Sequence, residues 1–249
     1  MASALLRAVY IVWATGLAAA PLPPAEQILD KFVEVTGGQA AYEKISTQYA
    51  TAAIEFSGKN IAGKLTLYQA AKSRSYVLME LPGVGQFEQG TAEGVAWERS
   101  AMLGPRLKTG PERAAALREA DVQSRVLWRN HFAKAETAGE EEIDGRRCYK
   151  IVLTPNEGEA ETRFFEVSTG LLVRIDRIVR SQMGEVPAQT ILGDYRPVGG
   201  ILTAHSLRQK TMGQDFVTTI QTIEYNADIP DSRFALPEDV RALAAAPKP

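Results

Sequence analysis

The sequence predicts an α+β fold built as one strongly curved antiparallel sheet, an incomplete β-barrel, covered by a few helices. Two long blocks, 48–100 and 146–225, alternate apolar and polar residues and carry turn signals about every ten positions, which is the spacing of a meander. The stretch between them, 111–135, switches to a helical period. Connections within each block are too short for parallel crossovers, and about eleven antiparallel strands in one open sheet must curl.

The body opens after the elbow Pro21-Leu22-Pro23-Pro24. Ile28, Leu29, Phe32, Val33 and Val35 recur at helical spacing over 25–36, with Glu26 and Asp30 early, where the helix dipole favours acids. Gly37-Gly38 stops that helix, and 40–45 reads as a short second one. From Gln48 the period is two: Ala50, Ala52, Ile54 and Phe56 share one face, Tyr49, Thr51, Glu55 and Ser57 the other. Gly58-Lys59-Asn60 turns the chain into a returning strand, 61–68, with Ile61, Leu65 and Leu67 on one side. Further strands fall at 73–80, 84–90 and 95–100, separated by Pro82-Gly83 and Glu93-Gly94.

Pro111 suits the first turn of a helix over 111–119. Val122, Val126, Leu127, Trp128 and Phe132 then form a stripe that predicts a second helical stretch reaching residue 135. Strands resume at 146–153, 162–167, 171–180, 186–195, 201–210 and 215–225. Turns are assigned to Ser168-Thr169-Gly170, Met183-Gly184, Pro197 with Gly199-Gly200, and Met212-Gly213. Residues 230–240 read as a loop anchored by Phe234 and Leu236, and 242–249 as a frayed tail.

Residues 1–20 read as a secretory signal peptide: Arg7, an apolar run, then Ala18-Ala19-Ala20 as small residues at a cleavage site. The uncharged run of about thirteen residues is short of the ~20 that cross a bilayer, although a retained N-terminal anchor stays open as the alternative. Residues 21–241 are then a single exported, periplasmic domain. With 28 basic against 30 acidic residues and no block of like charge, nothing points to a nucleic-acid surface. Cys148 is the one cysteine, so no internal disulfide staples the fold, and its place in a strand makes it a small buried apolar residue.

Catalytic and metal chemistry find little support. The two histidines, His131 and His205, lie on unlike elements without metal-ligand spacing, and neither a Gly-x-Ser-x-Gly elbow nor a phosphate loop occurs. Gly83-Val84-Gly85 and Gly199-Gly200 sit at hairpin turns, and Glu140-Glu141-Glu142 reads as a solvated run. No cofactor and no metal is expected.

Three segments carry a resemblance to a known family. They are Gly145-Arg146-Arg147-Cys148-Tyr149-Lys150-Ile151-Val152-Leu153-Thr154-Pro155, then Phe164-Phe165-Glu166-Val167-Ser168-Thr169-Gly170-Leu171-Leu172-Val173-Arg174, and finally Asp194-Tyr195-Arg196-Pro197-Val198-Gly199-Gly200-Ile201. With the preceding helix and strand block, they resemble the periplasmic lipoprotein carriers of the LolA and LolB type. That resemblance implies a half-barrel lidded by helices, whose apolar interior holds acyl chains in transit between membranes. Each buried methylene would contribute ~0.8 kcal/mol.

The expected function is therefore non-enzymatic: binding of a lipid, lipoprotein acyl chain or other hydrophobic ligand in the concave face, with transient membrane contact during envelope lipoprotein transport. Candidate lining residues are Ile54, Phe56, Leu65 and Leu67 from the first hairpin, and Val77, Met79, Phe87 and Trp97 from the next strands. The loop at 101–105 adds Met102 and Leu103, and the central helices add Trp128 and Phe132. Two other readings stand beside it: an envelope protein-protein assembly module with a packed interior, and an enzyme on an apolar substrate, for which His205 is the first residue to suspect.

Overall fold

The computed structural model describes residues 21–181, 184–211 and 213–246. The signal-peptide reading at 1–20 and the turn positions Met183 and Met212 lie outside them.

Alternation in the sequence becomes a single sheet of thirteen antiparallel strands, joined almost wholly by tight hairpins. The first block forms β1 (Thr47–Phe56), β2 (Ile61–Ala70), β3 (Arg74–Leu81), β4 (Gly85–Ala92), β5 (Val95–Ser100) and β6 (Gly104–Lys108). The second forms β7 (Phe132–Ile143), β8 (Arg146–Pro155), β9 (Glu161–Glu166), β10 (Leu172–Ser181), β11 (Gly184–Val198), β12 (Ile201–Thr211) and β13 (Gln214–Tyr225). Each strand pairs with its sequence neighbours, and the two meanders fuse where β1 pairs with β13. The order therefore runs from β6 at one edge to β7 at the other.

Five helices accompany the sheet: α1 (Ala25–Val35), α2 (Gln39–Glu43), α3 (Gly110–Ala120), α4 (Trp128–His131) and α5 (Glu238–Ala245). The face of α1 predicted from its spacing is the buried one, with Ala25, Ile28, Leu29, Phe32 and Val33 turned to the sheet. Phe32 meets Phe165 of β9 edge-on at 5.5 Å, in a core that also holds Ile151, Leu153 and Leu172. The helix ends on Thr36, whose hydroxyl donates to the Phe32 carbonyl at 2.7 Å while its own carbonyl accepts from Leu202 N–H at 2.8 Å, tying α1 to β12.

One residue shows how far the sheet bends. Gln69 of β2 and Arg177 of β10 stand five strand spacings apart, ~24 Å along a flat sheet. Both nevertheless bond to Glu119 at the end of α3: Gln69 Nε2 donates to its carbonyl at 2.9 Å, and the Arg177 guanidinium pairs with its carboxylate. The sheet is wrapped around α3, and α1, α2 and α3 all lie on its concave face. Gly63 helps the bend, because a Cβ there would overlap the Glu80 carbonyl oxygen and stand 2.7 Å from Leu81 Cδ2.

The C-terminal segment covers the convex side. Arg233 lies over the rings of Tyr68 and Tyr76 at 4.9 and 5.8 Å, Phe234 is buried beneath Arg74, and Arg99 reaches Asp239 of α5.

Four local expectations need correction. The sheet has thirteen strands where the sequence reading counted about eleven, the additions being its two edges, β6 and β7. The helix expected to reach residue 135 ends at His131, and Phe132 already begins β7. Residues 231–234 form a 3-10 turn and 238–245 a helix, where a loop and a frayed tail were expected, because Phe234 and Val240 are buried against the body. Among the described residues, no helix is long and apolar enough to cross a membrane.

Candidate functional site

The concave face leaves two connected spaces. One is a groove of about 240 Å³ whose apolar wall is Leu65, Val77, Met79 and Phe87, closed at one end by Leu103 from the β5–β6 turn. The register explains the wall: Leu65 pairs with Met79 and Met79 with Phe87, and directly opposed residues point to the same face. The other space is a cleft of about 350 Å³ beneath α3, between β2–β5 on one side and β9–β10 on the other. Val77 and Gln89 line both, so the hollow grades from apolar near Leu103 to charged under α3.

Four arginines on the charged side are each matched by an acid. Arg106 bonds to Glu98 and Glu112, Arg163 to Glu161, Arg118 approaches Glu161 at 3.8 Å, and Arg177 pairs with Glu119. Burial pulls the Arg118 guanidinium below its ordinary pKa, opposed by Glu161 and Glu119, whereas the charge of Glu119 lifts Arg177 against its own desolvation. Arg118 and Arg163 also lie over the Phe132 ring, at 5.2 and 5.1 Å.

The expected lining residues divide by place. Leu65, Val77, Met79, Phe87 and Leu103 come together in the groove, and Leu67 lines the cleft. Ile54 is buried, and Phe56 stacks on Phe216 at 5.3 Å. Trp97 contributes to the cleft wall, but its ring lies on Tyr76 at 6.3 Å, in the row that faces the convex side. Met102 is 76% exposed at the turn tip beside Leu103. Trp128 and Phe132 are buried with α1, and the Trp128 indole N–H donates to Asp30 at 3.3 Å.

The remaining chemistry-bearing residues have structural partners. His131 bonds through Nε2 to Asp121 at 2.8 Å, and buried His205 donates from Nδ1 to the Thr203 carbonyl at 2.9 Å. Cys148 is fully buried with Ile143, Phe164 and Val173, and burial pushes its thiol up. Among the described residues, no cluster of three or more His, Cys, Asp or Glu converges on a metal position. Sequence reasoning missed the charged half of the hollow, because Arg118, Glu119, Glu161 and Arg177 come from three elements far apart in the chain.

The fold recurs in solved structures. A LolA superfamily protein from Nitrosomonas europaea superposes with a TM-score of 0.57 at 14% identity, covering 86% of this chain and 99% of that one. The fold is LolA-like. A DUF1329 family protein from Desulfovibrio piger shares this LolA-like fold at TM-score 0.56 and 17% identity, over 86% of this chain and 98% of its own. A domain from Vibrio parahaemolyticus described as an outer membrane lipoprotein-sorting protein does so at 0.55 and 10%, over 84% and 97%. No protein-family model matches the sequence, and a search of curated proteins finds no match either. At these identities the likeness establishes the LolA-like architecture and leaves the ligand to be argued from the hollow itself.

Proposed function

We propose that the chain is an exported, non-catalytic binding protein that carries a lipid, a lipoprotein acyl chain or a similar hydrophobic ligand on the concave face of its sheet. The observation that carries the reading is the groove of Leu65, Val77, Met79, Phe87 and Leu103, apolar side chains aligned by register yet not covered by a helix. In a packed domain such a row would be filled, since buried apolar surface stabilises by roughly 25 cal/mol per Å². Here the helices cover the neighbouring strands and leave this stretch to a guest. Exposed Met102 and Leu103 at the groove's end suit a point of transient contact with a membrane.

Extraction of the purified protein with organic solvent, followed by mass spectrometry, tests the proposal. A co-purifying amphiphile in near-stoichiometric amount supports it. A folded sample that yields none, and that takes up no apolar fluorescent probe, overturns it and favours an assembly module whose interior is simply core.

A further inference from the structure

Four cations line the cleft beneath α3, and three of them spend their donors on neighbours. Lys108 Nζ donates to Gln89 at 3.1 Å and pairs with Glu98 at 3.3 Å, Arg180 bonds to Glu185 and Glu159 at 2.7 and 2.6 Å, and Arg177 pairs with Glu119. Arg118, in the last turn of α3, is the exception. Its side chain is 15% exposed, stands 3.8 Å from Glu161 and 5.2 Å from the Phe132 ring, and donates no hydrogen bond among the described residues.

Glu161 does not satisfy this guanidinium, because Arg163 already holds the acid. Arg163 Nε donates to Oε1 at 2.6 Å, while Arg118 Nη2 faces the other oxygen from beyond hydrogen-bond reach. One carboxylate, 6% exposed, thus serves two guanidiniums. A guanidinium carries five N–H donors, and a charged donor left unserved costs more than a neutral one. No enclosed side-chain nitrogen among the described residues lacks a partner, so those of Arg118 reach the open cleft. An apolar path leads away from it. Ser75 borders the cleft, Val77 both spaces and Met79 the groove, with ~13 Å of β3 between the first and the last.

We infer that Arg118 anchors the headgroup of an amphiphilic ligand, pairing in the cleft with one anionic oxygen group, a carboxylate or a phosphate ester, while the hydrocarbon runs along β3 into the groove of Leu65, Met79 and Phe87. The inference rests on the carrier reading and narrows its ligand class to anionic amphiphiles. The planar guanidinium presents parallel N–H donors that match either group bidentately. The acids that line the cleft do not reserve it for an ammonium instead. Glu112, Glu119, Glu159 and Glu161 are held by Arg106, Arg177, Arg180 and Arg163, and Glu157 is exposed in the turn between β8 and β9.

The test is displacement of N-phenyl-1-naphthylamine from the purified chain by laurate, dodecyl phosphate, dodecylammonium and neutral dodecanol, in wild type, Arg118→Gln and Arg118→Lys. Wild type is expected to bind at least one of the anions about tenfold or more tighter than dodecanol and dodecylammonium. The stronger of the two anions tells carboxylate from phosphate. Arg118→Gln leaves Glu161 its bond from Arg163, so no carboxylate is orphaned, and it should bring that anion to the affinity of dodecanol in a sample that still unfolds cooperatively in urea. Arg118→Lys keeps the charge without the paired donors and should retain only part of the preference, which reads the site independently of the other variant's fold. Equal affinity of wild type for all four, tighter binding of dodecylammonium, or a preference undiminished in either variant overturns the headgroup site and leaves the carrier reading standing. Uptake of neither the probe nor any of the four overturns both.

Discussion

Glu119 of α3 and Arg177 of β10 form an ion pair that fastens the helix to the far half of the sheet. The same residue holds β2 through its carbonyl, so α3 bridges the two meanders across the mouth of the cleft. The Arg177 and Glu119 side chains are 32% and 52% exposed, a setting in which a pair contributes under about 1 kcal/mol. Glu119→Gln is therefore expected to lower stability by less than about 1 kcal/mol in urea unfolding while speeding probe entry in stopped-flow uptake. An unchanged entry rate would remove α3 from the path of the ligand.

Val77 stands where groove and cleft meet, which makes it the position at which bulk interferes most with a guest. Val77→Trp projects into free volume rather than into packed core, so overpacking is small and stability should stay within about 1 kcal/mol of wild type. Probe affinity should fall about tenfold or more, read by fluorescence titration. Retained affinity with a normal melt would place the ligand elsewhere on the concave face.

Gly63 has no such space. A Cβ on it meets the Glu80 backbone, which cannot rotate away as a side chain could. Gly63→Ala is expected to cost about 1–3 kcal/mol, measured as a lower urea midpoint with an unchanged slope. Gly193, at which an added Cβ meets nothing within 4 Å, provides the control: Gly193→Ala should change stability far less.

How much of this was legible in the sequence differs by element. The hairpin of β1 and β2 was readable because Ala50, Ala52, Ile54, Leu65 and Leu67 alternate cleanly on one face of the pair. The two unread strands are the edges, where the alternating apolar signal is suppressed. β6 carries Pro105, which lacks a ladder donor, and β7 runs Lys134, Glu136, Glu140, Glu141 and Glu142, charges that discourage edge-to-edge pairing. Val122, Val126, Trp128 and Phe132 do form a helical stripe in sequence, but Phe132 pairs with Pro155 and joins the sheet, so tertiary pairing overrides the period. The groove wall was visible as apolar residues on neighbouring hairpins. The charged cleft was not, because Arg118, Glu119, Glu161 and Arg177 meet only when α3, β9 and β10 are brought together.

Asp121 links the turn after α3 to α4, accepting from His131 Nε2 at 2.8 Å and from the Gln123 N–H at 3.0 Å. The bond from His131 holds its carboxyl below the usual carboxylate range, against desolvation, which acts the other way. A group whose folded pKa is depressed stabilises the fold fully above its unfolded value, near 3.9, and that contribution is lost as pH falls through the lower folded value. Asp121→Asn should therefore destabilise by about 1–2 kcal/mol at pH 6, the amount typical of a hydrogen bond to a charged group. The gap between variant and wild type should hold steady down to about pH 5 and narrow toward pH 3, read from urea midpoints across the range. A gap that stays constant through pH 3 would mean that Asp121 acts through its shape and not through its charge. A gap that widens on acidification would reverse the sign of the shift assigned to it.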